Sequence, residues 1–284
     1  MSLFNPLFDF YIKTCMKKIF FCLILVSINF AVLAQDELPP IQLDRPDLTE
    51  SPFLTPEKYI QVESGSNYQK IDEANQLTIP TILTKYGINE TFELRLITTL
   101  QSFRMRNGSS SQTGLIPVWV GFKSKLMKEE GFLPEMAFIG HLAMNKMASS
   151  DFQTSNIAPQ FRFVMQNTLS DKVSLGYNLG MEWNGNSPVG SFIYTVTSGI
   201  SLTKKLGCFL EFYGNKSSQT SFNHNFDGGF TYLLNNNSML DTSAGLLLWD
   251  GSLNVANSFF ISLGYSFRFN TIDNSQFKQV GTSK

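Results

Sequence analysis

The stretch from Asn257 to Phe269 reads NSFFISLGYSFRF, and its two residue parities differ in character. One parity is apolar and aromatic and consists of Phe259, Ile261, Leu263, Tyr265, Phe267 and Phe269. The other parity is mostly small or polar and consists of Phe260, Ser262, Gly264, Ser266 and Arg268. Because successive side chains of a strand point to opposite faces, the pattern predicts a β-strand with one apolar face. The stretch is also long enough for a tilted transmembrane strand, which needs about 9–11 residues.

The same alternation recurs from residue 57 to residue 269. Twelve candidate strands lie at 58–69, 76–86, 91–104, 114–126, 131–145, 155–168, 172–183, 190–203, 206–216, 225–235, 238–249 and 257–269. Short turns alternate with longer polar loops between them, as in outer-membrane barrels. We therefore predict an all-β fold, namely a transmembrane antiparallel up-and-down β-barrel of about 12 strands, closed so that no backbone group is left unpaired in lipid.

Four prolines fall inside these candidate strands, at Pro80, Pro117, Pro134 and Pro159. Proline has no backbone N–H to give to a neighbouring strand. Each of the four therefore requires a bulge, a strand end or a rim position.

The parity opposite the apolar one carries most of the strand charges, which predicts a wet lumen. The lumen-lining candidates are Glu63, Glu93, Arg95, Lys123, Glu135, His141, Arg162, Glu182, Glu211, Asp227, Asp241 and Arg268. A soluble lipocalin-like sandwich with the same charges facing outside water is the alternative, but its strands would be shorter. Asp227, Asp241 and Arg268 lie on neighbouring strands, so they could form a charge ring that selects permeants or a ladder of mutually neutralising pairs.

The N-terminus predicts an export signal. Residues 1–34 comprise an upstream extension, a basic start at Met16-Lys17-Lys18, and an apolar run that ends in a cleavage-like sequence before Gln35. Such a segment is typical of a cleaved signal peptide, with Met16 as the expected start. A membrane anchor is the alternative, although the apolar run is shorter than a usual spanning helix.

Residues 35–56 predict an irregular lead-in to the first strand. They contain five prolines, which deny backbone donors to a sheet, so we expect a Pro-rich periplasmic lead-in. Asp44, Asp47 and Glu50 could form an acidic cation site there. The simpler interpretation is an extended polyproline-like segment, because the spacing of a calcium loop is absent. Residues 270–284 are expected to form a C-terminal tail.

The composition argues against other classes of partner. The chain has 284 residues, of which 16% are charged, and its formal net charge is −1. This balance offers no basic surface for nucleic acid, so we expect no nucleic-acid partner. We also expect no cofactor and no metal, since His141 lies on a predicted strand and His224 in a predicted loop.

Two parts of the chain resemble a known family. The first is DRPDLTES at 44–51, which runs into YIQVESG at 59–65, and the second comprises DGGFTY at 227–232, LDTSAG at 240–245 and LGYSFRF at 263–269. They resemble the MetA-pathway of phenol degradation family of outer-membrane β-barrels, whose members are often described as transporters. The resemblance covers most of Asp44 to Phe269 and implies a tie to aromatic catabolism. One departure is the tail, since barrel chains commonly stop at a terminal aromatic residue.

Together these features predict a channel or transporter in the outer membrane of a Gram-negative bacterium. Small solutes, hydrophobic or aromatic ones included, would diffuse through the lumen. The expected partners are outer-membrane lipid, a small-molecule solute and the barrel-assembly machinery during insertion. A non-transporting structural or adhesive barrel is the first alternative. A barrel hydrolase is the second, but it needs a nucleophile beside a base, and we expect no enzyme.

Overall fold

Strands make up nearly all of the regular structure. The computed structural model describes residues 38–71, 74–105, 108, 110–249 and 258–271, so the predicted leader and all but the first two residues of the predicted tail lie outside it. The strands are Tyr59–Ile71 (β1), Ala74–Asn89 (β2), Phe92–Met105 (β3), Ser111–Leu115 (β4), Val118–Met127 (β5), Glu135–Met144 (β6), Ala158–Ser170 (β7), Val173–Glu182 (β8), Ser191–Ser201 (β9), Leu206–Ser217 (β10), Asn223–Asn235 (β11), Ser238–Trp249 (β12) and Phe259–Asn270 (β13). A 3-10 turn covers Ser150–Phe152. Among the described residues, no helix is long and apolar enough to cross a membrane.

The first and last strands pair and close the sheet. Tyr59 lies opposite Asn270, and Lys70 lies opposite Phe259. The remaining strands follow one another as antiparallel neighbours around the ring. The β1–β13 and β2–β3 pairings close the ring, which removes the long open edges that lipid would not tolerate, and the short β4 pairs with β3. The predicted transmembrane antiparallel barrel of about 12 strands is confirmed, with one extra strand.

The extra strand results from a proline. β4 pairs with β3 at Leu100 to Arg104, and β5 pairs with β3 at Phe92 to Ile97, so the two share one neighbour. The predicted strand 114–126 is therefore broken at Pro117, which lies between β4 and β5. The other prolines also avoid regular central pairing, because proline cannot donate to a neighbouring strand. Pro80 lies at a register shift in β2, Pro134 directly precedes β6, and Pro159 is the second residue of β7.

The outward face of the barrel is apolar and rich in rings. Leu263 is 66% exposed and Ile261 is 54% exposed. A row of outward rings crosses β3, β5, β6 and β7 through Phe92, Phe122, Phe138 and Phe163, with centroid separations of 5.4, 6.0 and 5.2 Å. A continuous apolar surface of this kind is unfavourable in water but suits contact with lipid.

The inward face carries the charges. Glu63, Lys85, Glu93, Lys123 and Glu211 are each no more than 1% exposed. Among the described residues, a small cluster of buried apolar side chains on the inner wall is formed by Ala137, Ile139 and Val164. Because buried charges are costly unless they are paired, the pairing of these side chains determines how the interior is organised.

We predict that a charge on the outward face destabilises the barrel according to its depth. Leu263 lies near the middle of β13 and Phe269 near its end. Compared with the alanine variant at the same position, Leu263→Arg should lower the free energy of unfolding by about 2–4 kcal/mol and Phe269→Arg by about 0–1 kcal/mol. Urea unfolding in phospholipid vesicles measures both. Equal losses at the two positions would contradict a lipid-facing β13.

Candidate functional site

Residues 40–56, hereafter the interior segment, run inside the barrel against the charged wall. Backbone N–H groups of the segment donate to three wall carboxylates, for example Asp44 to Glu63 Oε2 at 2.9 Å, Thr49 to Glu211 Oε1 at 2.7 Å, and Thr55 to Glu93 Oε2 at 2.7 Å. These carboxylates come from β1, β10 and β3, so the segment contacts widely separated parts of the wall. A segment with no partner strand must find other acceptors for its N–H groups, and the wall carboxylates supply them.

The sequence predicted a Pro-rich periplasmic lead-in at residues 35–56, and within it residues 40–56 lie against inward-facing wall side chains. The prolines correctly exclude sheet pairing for the described residues 38–56. They do not specify which groups accept the free N–H donors, and those acceptors lie on strands far away in the sequence. The interior segment therefore belongs to the barrel interior.

Both ends of the interior segment lie at the rim that carries the short turns. Ile41 donates its N–H to the carbonyl of Asn236, in the turn between β11 and β12, at 2.9 Å. Beyond the other end, Lys58 donates its N–H to the carbonyl of Gly87, near the turn between β2 and β3, at 2.8 Å. The segment thus enters and leaves through one rim.

The carboxylate of Asp44 occupies a basic pocket, hereafter the Asp44 seat, formed by Lys85, Arg95 and Lys123. Oδ2 lies 2.9 Å from Lys85 Nζ, 2.9 Å from Arg95 Nη1 and 3.0 Å from Lys123 Nζ. Oδ1 lies 2.8 Å from Lys123 Nζ and also accepts from the N–H and hydroxyl of Ser51, both at 3.0 Å. Burial alone would raise the pKa of Asp44, but the charges of Lys123, Lys85 and Arg95 outweigh it and hold the pKa well below its ordinary value.

Four carboxylates surround these three cations. Glu63 lies 2.5 Å from Lys85 Nζ, Glu93 lies 3.0 Å from Arg95 Nη1, and Glu50 pairs with Arg95 Nη2. Burial raises the pKa of Glu50, but the Arg95 charge outweighs burial and lowers it below its ordinary value. Two of the four carboxylates, those of Asp44 and Glu50, belong to the interior segment. Without the segment, the three cations would face only the two wall acids.

One wall acid, Glu211, and two uncharged wall side chains, Asn178 and Thr195, hold the middle of the interior segment on the opposite wall. Thr49 Oγ1 donates to Glu211 Oε1 at 2.5 Å, and the hydroxyls of Thr49 and Thr195 lie within hydrogen-bond distance of each other at 2.7 Å. Asn178 binds Glu50 through two hydrogen bonds, since Oδ1 accepts its N–H at 2.7 Å and Nδ2 donates to its carbonyl at 3.0 Å. The Asn178 contacts position the backbone without adding charge.

A second group of acids lies close to Asp47. Glu211 and Asp227 are cross-strand neighbours on β10 and β11, and each is 1% exposed. Asp227 Oδ1 has no hydrogen-bond partner among the described residues. Burial and the nearby Glu211 and Asp227 carboxylates raise the pKa of Asp47 well above its ordinary value. Asp47 therefore opposes docking of the segment as an anion, whereas Asp44 favours it.

Seven of the twelve lumen candidates contact the interior segment. They are Glu63, Glu93, Arg95, Lys123, Arg162, Glu211 and Asp241. The other five contact the wall or a turn. Glu135 pairs with Lys125 and accepts the N–H of Glu129. His141 accepts a hydrogen bond from Arg95, and Glu182 accepts one from Gln160. Asp227 lies opposite Glu211 on the neighbouring strand, and Arg268 donates to the turn at Asn236 and Asn237.

The ladder hypothesis for Asp227, Asp241 and Arg268 is wrong. Asp241 Oδ1 pairs with Arg45 Nη2 of the interior segment at 3.2 Å. Arg268 instead donates to Asn237 Oδ1 at 2.9 Å and to the carbonyl of Asn236 at 3.0 Å. The strand register explains the difference, because Asp227 lies opposite Gly245 and Asp241 lies opposite Gly264.

Sequence reasoning missed Lys85, Asn178 and Thr195. Lys85 lies on β2, where the register shift around Pro80 obscures which parity faces inward. Counting parity separately on each side of Pro80 would have revealed it. Asn178 and Thr195 are uncharged, and a search for inward charges does not select them.

The acids of the interior segment do not form a cation site. Asp44 and Glu50 pair with lysine and arginine side chains. Within the described ranges, no group of three or more His, Cys, Asp or Glu residues is placed to hold a metal ion.

Comparisons with known proteins give one family and a set of similar barrels. Residues 43–269 match the family model described as "Putative MetA-pathway of phenol degradation". The crystal structure of the COG4313 outer membrane channel from Pseudomonas putida F1 superposes with a TM-score of 0.60 at 12% identity, covering 76% of this chain and 97% of that one. The CymD monoaromatic hydrocarbon channel gives a TM-score of 0.44 at 8% identity, covering 76% of this chain and 90% of that one. No curated protein sequence matches the chain. At such low sequence identities, similarity to these structures supports the fold and nothing further.

The pKa of Asp47 is raised and that of Asp44 is lowered in the docked segment, which predicts that docking depends on pH. Because docking raises the pKa of Asp47, its docking penalty is absent below the ordinary value of 3.8 and grows as the pH rises above it. Asp44, whose pKa is lowered, is already ionised when undocked above 3.8 and changes little in that range. Asp47→Asn should therefore raise the hydrogen-exchange protection of the Thr49 and Glu50 amides at about pH 7 by at least tenfold and flatten its dependence between about pH 5 and 7. Lower protection in Asp47→Asn at both pH values would refute the opposing role of Asp47.

We also predict that Gly65 must remain glycine for Arg45 to reach Asp241. A methyl group added at Gly65 would overlap the Arg45 guanidinium, which donates to Ser262 Oγ at 2.9 Å as well as pairing with Asp241. Gly65→Ala should weaken docking by about 1–3 kcal/mol, the cost of leaving a buried carboxylate unpaired, as measured by exchange of the Asp44 amide. Gly199→Ala is the control, because its added methyl would meet only the Ser174 hydroxyl at 2.8 Å, which can rotate away. Equal effects of the two variants would exclude this explanation.

Proposed function

The chain belongs to the MetA-pathway of phenol degradation family, and on that premise we propose that it is an outer-membrane channel for small solutes. Solutes would diffuse through the barrel lumen, and the interior segment would limit their passage. The closed barrel with its apolar outer face supports a membrane location, and family membership supports the outer membrane of a Gram-negative bacterium.

The observation that carries this proposal is the way in which the interior is filled. The segment is held by hydrogen bonds and ion pairs to wall side chains such as Glu63, Lys123 and Glu211, while Ile41 and Pro52 are among its few fully buried apolar residues. Water and ions can replace such contacts, whereas an apolar core would have to be exposed. The segment also enters and leaves through one rim, so it can be displaced without unpairing any strand.

The class of solute follows from the family and from the lumen. The family description refers to phenol degradation, which makes small aromatic compounds the first class to test. The inward charges at Arg95, Lys123 and Glu211 would admit solutes that carry a polar group. Outer-membrane lipid and the barrel-assembly machinery remain expected partners of this barrel.

A sealed structural barrel is the second candidate. The observation in its favour is the completeness of the ionic network, in which Lys85, Arg95 and Asp44 are all nearly inaccessible to solvent. Breaking a buried pair of this kind by removing one partner typically costs about 3–5 kcal/mol. A segment held this firmly would stabilise the wall and block the lumen permanently.

Hydrolysis has weaker support than either candidate. His141 accepts a hydrogen bond from Arg95 Nε at 3.2 Å and lies edge-on to Trp119 at 6.3 Å. Neither neighbour is a nucleophile, whereas a catalytic base must lie within hydrogen-bond reach of one.

A disulfide that locks the interior segment separates the two candidates. Thr49 and Thr195 are in side-chain contact at 2.7 Å, so Thr49→Cys with Thr195→Cys should allow a cross-link, with Cys208→Ser as the background to remove the free thiol of β10. We expect the reduced protein to conduct ions in planar bilayers and to admit a small sugar in liposome-swelling assays several-fold faster than the oxidised protein. The oxidised and reduced forms of one variant are matched controls for each other.

A variant that lacks residues 40–56 tests directly whether the interior segment blocks the lumen. It should swell liposomes at least as fast as the reduced double-cysteine protein, provided that heat-modifiable gel migration shows a folded barrel. If the deletion variant conducts and the reduced protein does not, the channel proposal fails and the sealed barrel is supported. If neither conducts, the channel proposal fails and the segment is not what closes the lumen.

A further inference from the structure

The Asp44 seat has a charge surplus that the wall alone does not neutralise. Lys85, Arg95 and Lys123 contribute three positive charges, while the wall contributes two carboxylates, those of Glu63 and Glu93. All five side chains are no more than 1% exposed. When Asp44 and Glu50 leave with the interior segment, one positive charge of the seat has no carboxylate partner on the wall. An anion supplies that partner, so the vacated seat favours an anion.

The geometry of the seat is that of a carboxylate site. The three cations come from β2, β3 and β5, and Lys85 and Arg95 lie directly opposite each other across the strand pair. They present Nζ, Nη1 and Nζ to the two oxygens of Asp44 at 2.8 to 3.0 Å. These atoms belong to strands of the wall and not to the interior segment. Several charge-assisted hydrogen bonds to one carboxylate are among the stronger polar contacts in proteins.

The wall beside the seat is apolar. Ile139 lies directly opposite Lys123 on the neighbouring strand, and Val164 lies opposite Ala137 one strand further. All three apolar residues point inward and are 0% exposed. An anion at the seat would therefore have an apolar surface on one side. The combination suits a molecule with a carboxylate at one end and a compact apolar body at the other.

We propose that the Asp44 seat is a binding site for the carboxylate of a small apolar organic acid, which competes with the interior segment for Lys85, Arg95 and Lys123. The proposal rests on the proposed channel function, because the acid must reach the lumen. Asp44 then acts as an internal stand-in for the carboxylate of the solute. An uncharged analogue of the same shape gains the apolar contact but leaves the surplus charge unpaired, so the site discriminates against it.

Equilibrium dialysis of the purified full-length protein with radiolabelled benzoate tests the proposal. In Asp44→Ala the seat loses its internal carboxylate, so benzoate should bind at least about tenfold more tightly than in the unsubstituted protein, because an attached competitor has a high effective concentration. Benzyl alcohol, which has the same ring without the charge, should gain nothing. Acetate should bind more weakly than benzoate, because it lacks the apolar body.

Two further variants serve as controls. Asp47→Asn removes a carboxylate from the same segment but leaves Asp44 in the seat, so benzoate binding should not increase. Asp44→Ala combined with Lys123→Met removes the surplus positive charge together with Asp44, so benzoate binding should fall back to that of the unsubstituted protein. If Asp44→Ala does not fold, the variant without residues 40–56 replaces it in the same measurement.

The outcomes distinguish the binding-site proposal from the channel proposal. The binding-site proposal fails if benzoate binds folded Asp44→Ala no more tightly than the unsubstituted protein. It also fails if benzyl alcohol binds as tightly as benzoate. Either result overturns it even if liposomes swell as expected. Binding that appears in Asp44→Ala and disappears with Lys123→Met supports the site even if no variant conducts, and in that case only the channel function fails.

Discussion

The interaction on which the interior depends is the burial of the Asp44 carboxylate among Lys85, Arg95 and Lys123. A closed barrel in lipid has an apolar outer face, so its polar side chains collect inside. Three cations crowded in one part of a narrow interior repel each other unless anions lie between them. The wall supplies two and the interior segment supplies two more. The position of the segment is thus a consequence of electrostatic neutralisation inside the barrel, and its irregular backbone allows it to follow the wall.

The same segment carries a contact that works against docking. Asp44 is held as an anion by cations, whereas Asp47 lies near the Glu211 and Asp227 carboxylates. Opposing contributions of this kind leave a net docking energy smaller than the number of contacts suggests, as is general for buried ionic networks. Because the segment returns to the rim at which it enters, docking and strand pairing are energetically separable. A barrel can therefore remain closed and stable while its lumen changes between filled and open.

The extent to which the architecture could be predicted from the sequence differs between the wall and its contents. Twelve strands, their faces and their closure follow from alternation with a period of two, which is local information repeated along the chain. The break at Pro117 also follows from a local rule, since proline has no N–H to donate. By contrast, the ladder of Asp227, Asp241 and Arg268 was wrong, because parity specifies a face but not the register between strands. Lys85 was missed for a related reason, since the irregularity at Pro80 hides the parity of β2.

The sequence by itself determined that this protein is a closed membrane barrel with an apolar exterior and a charged interior. Only the tertiary structure decided that residues 40–56 lie inside it and that Asp44 meets Lys123, 79 positions away, while Thr49 meets Glu211, 162 positions away. The physical reason is the range of the two kinds of information. Alternation acts between neighbours in the chain, whereas a carboxylate finds its cations across the lumen, where strand register and barrel closure bring distant residues within 3 Å of one another.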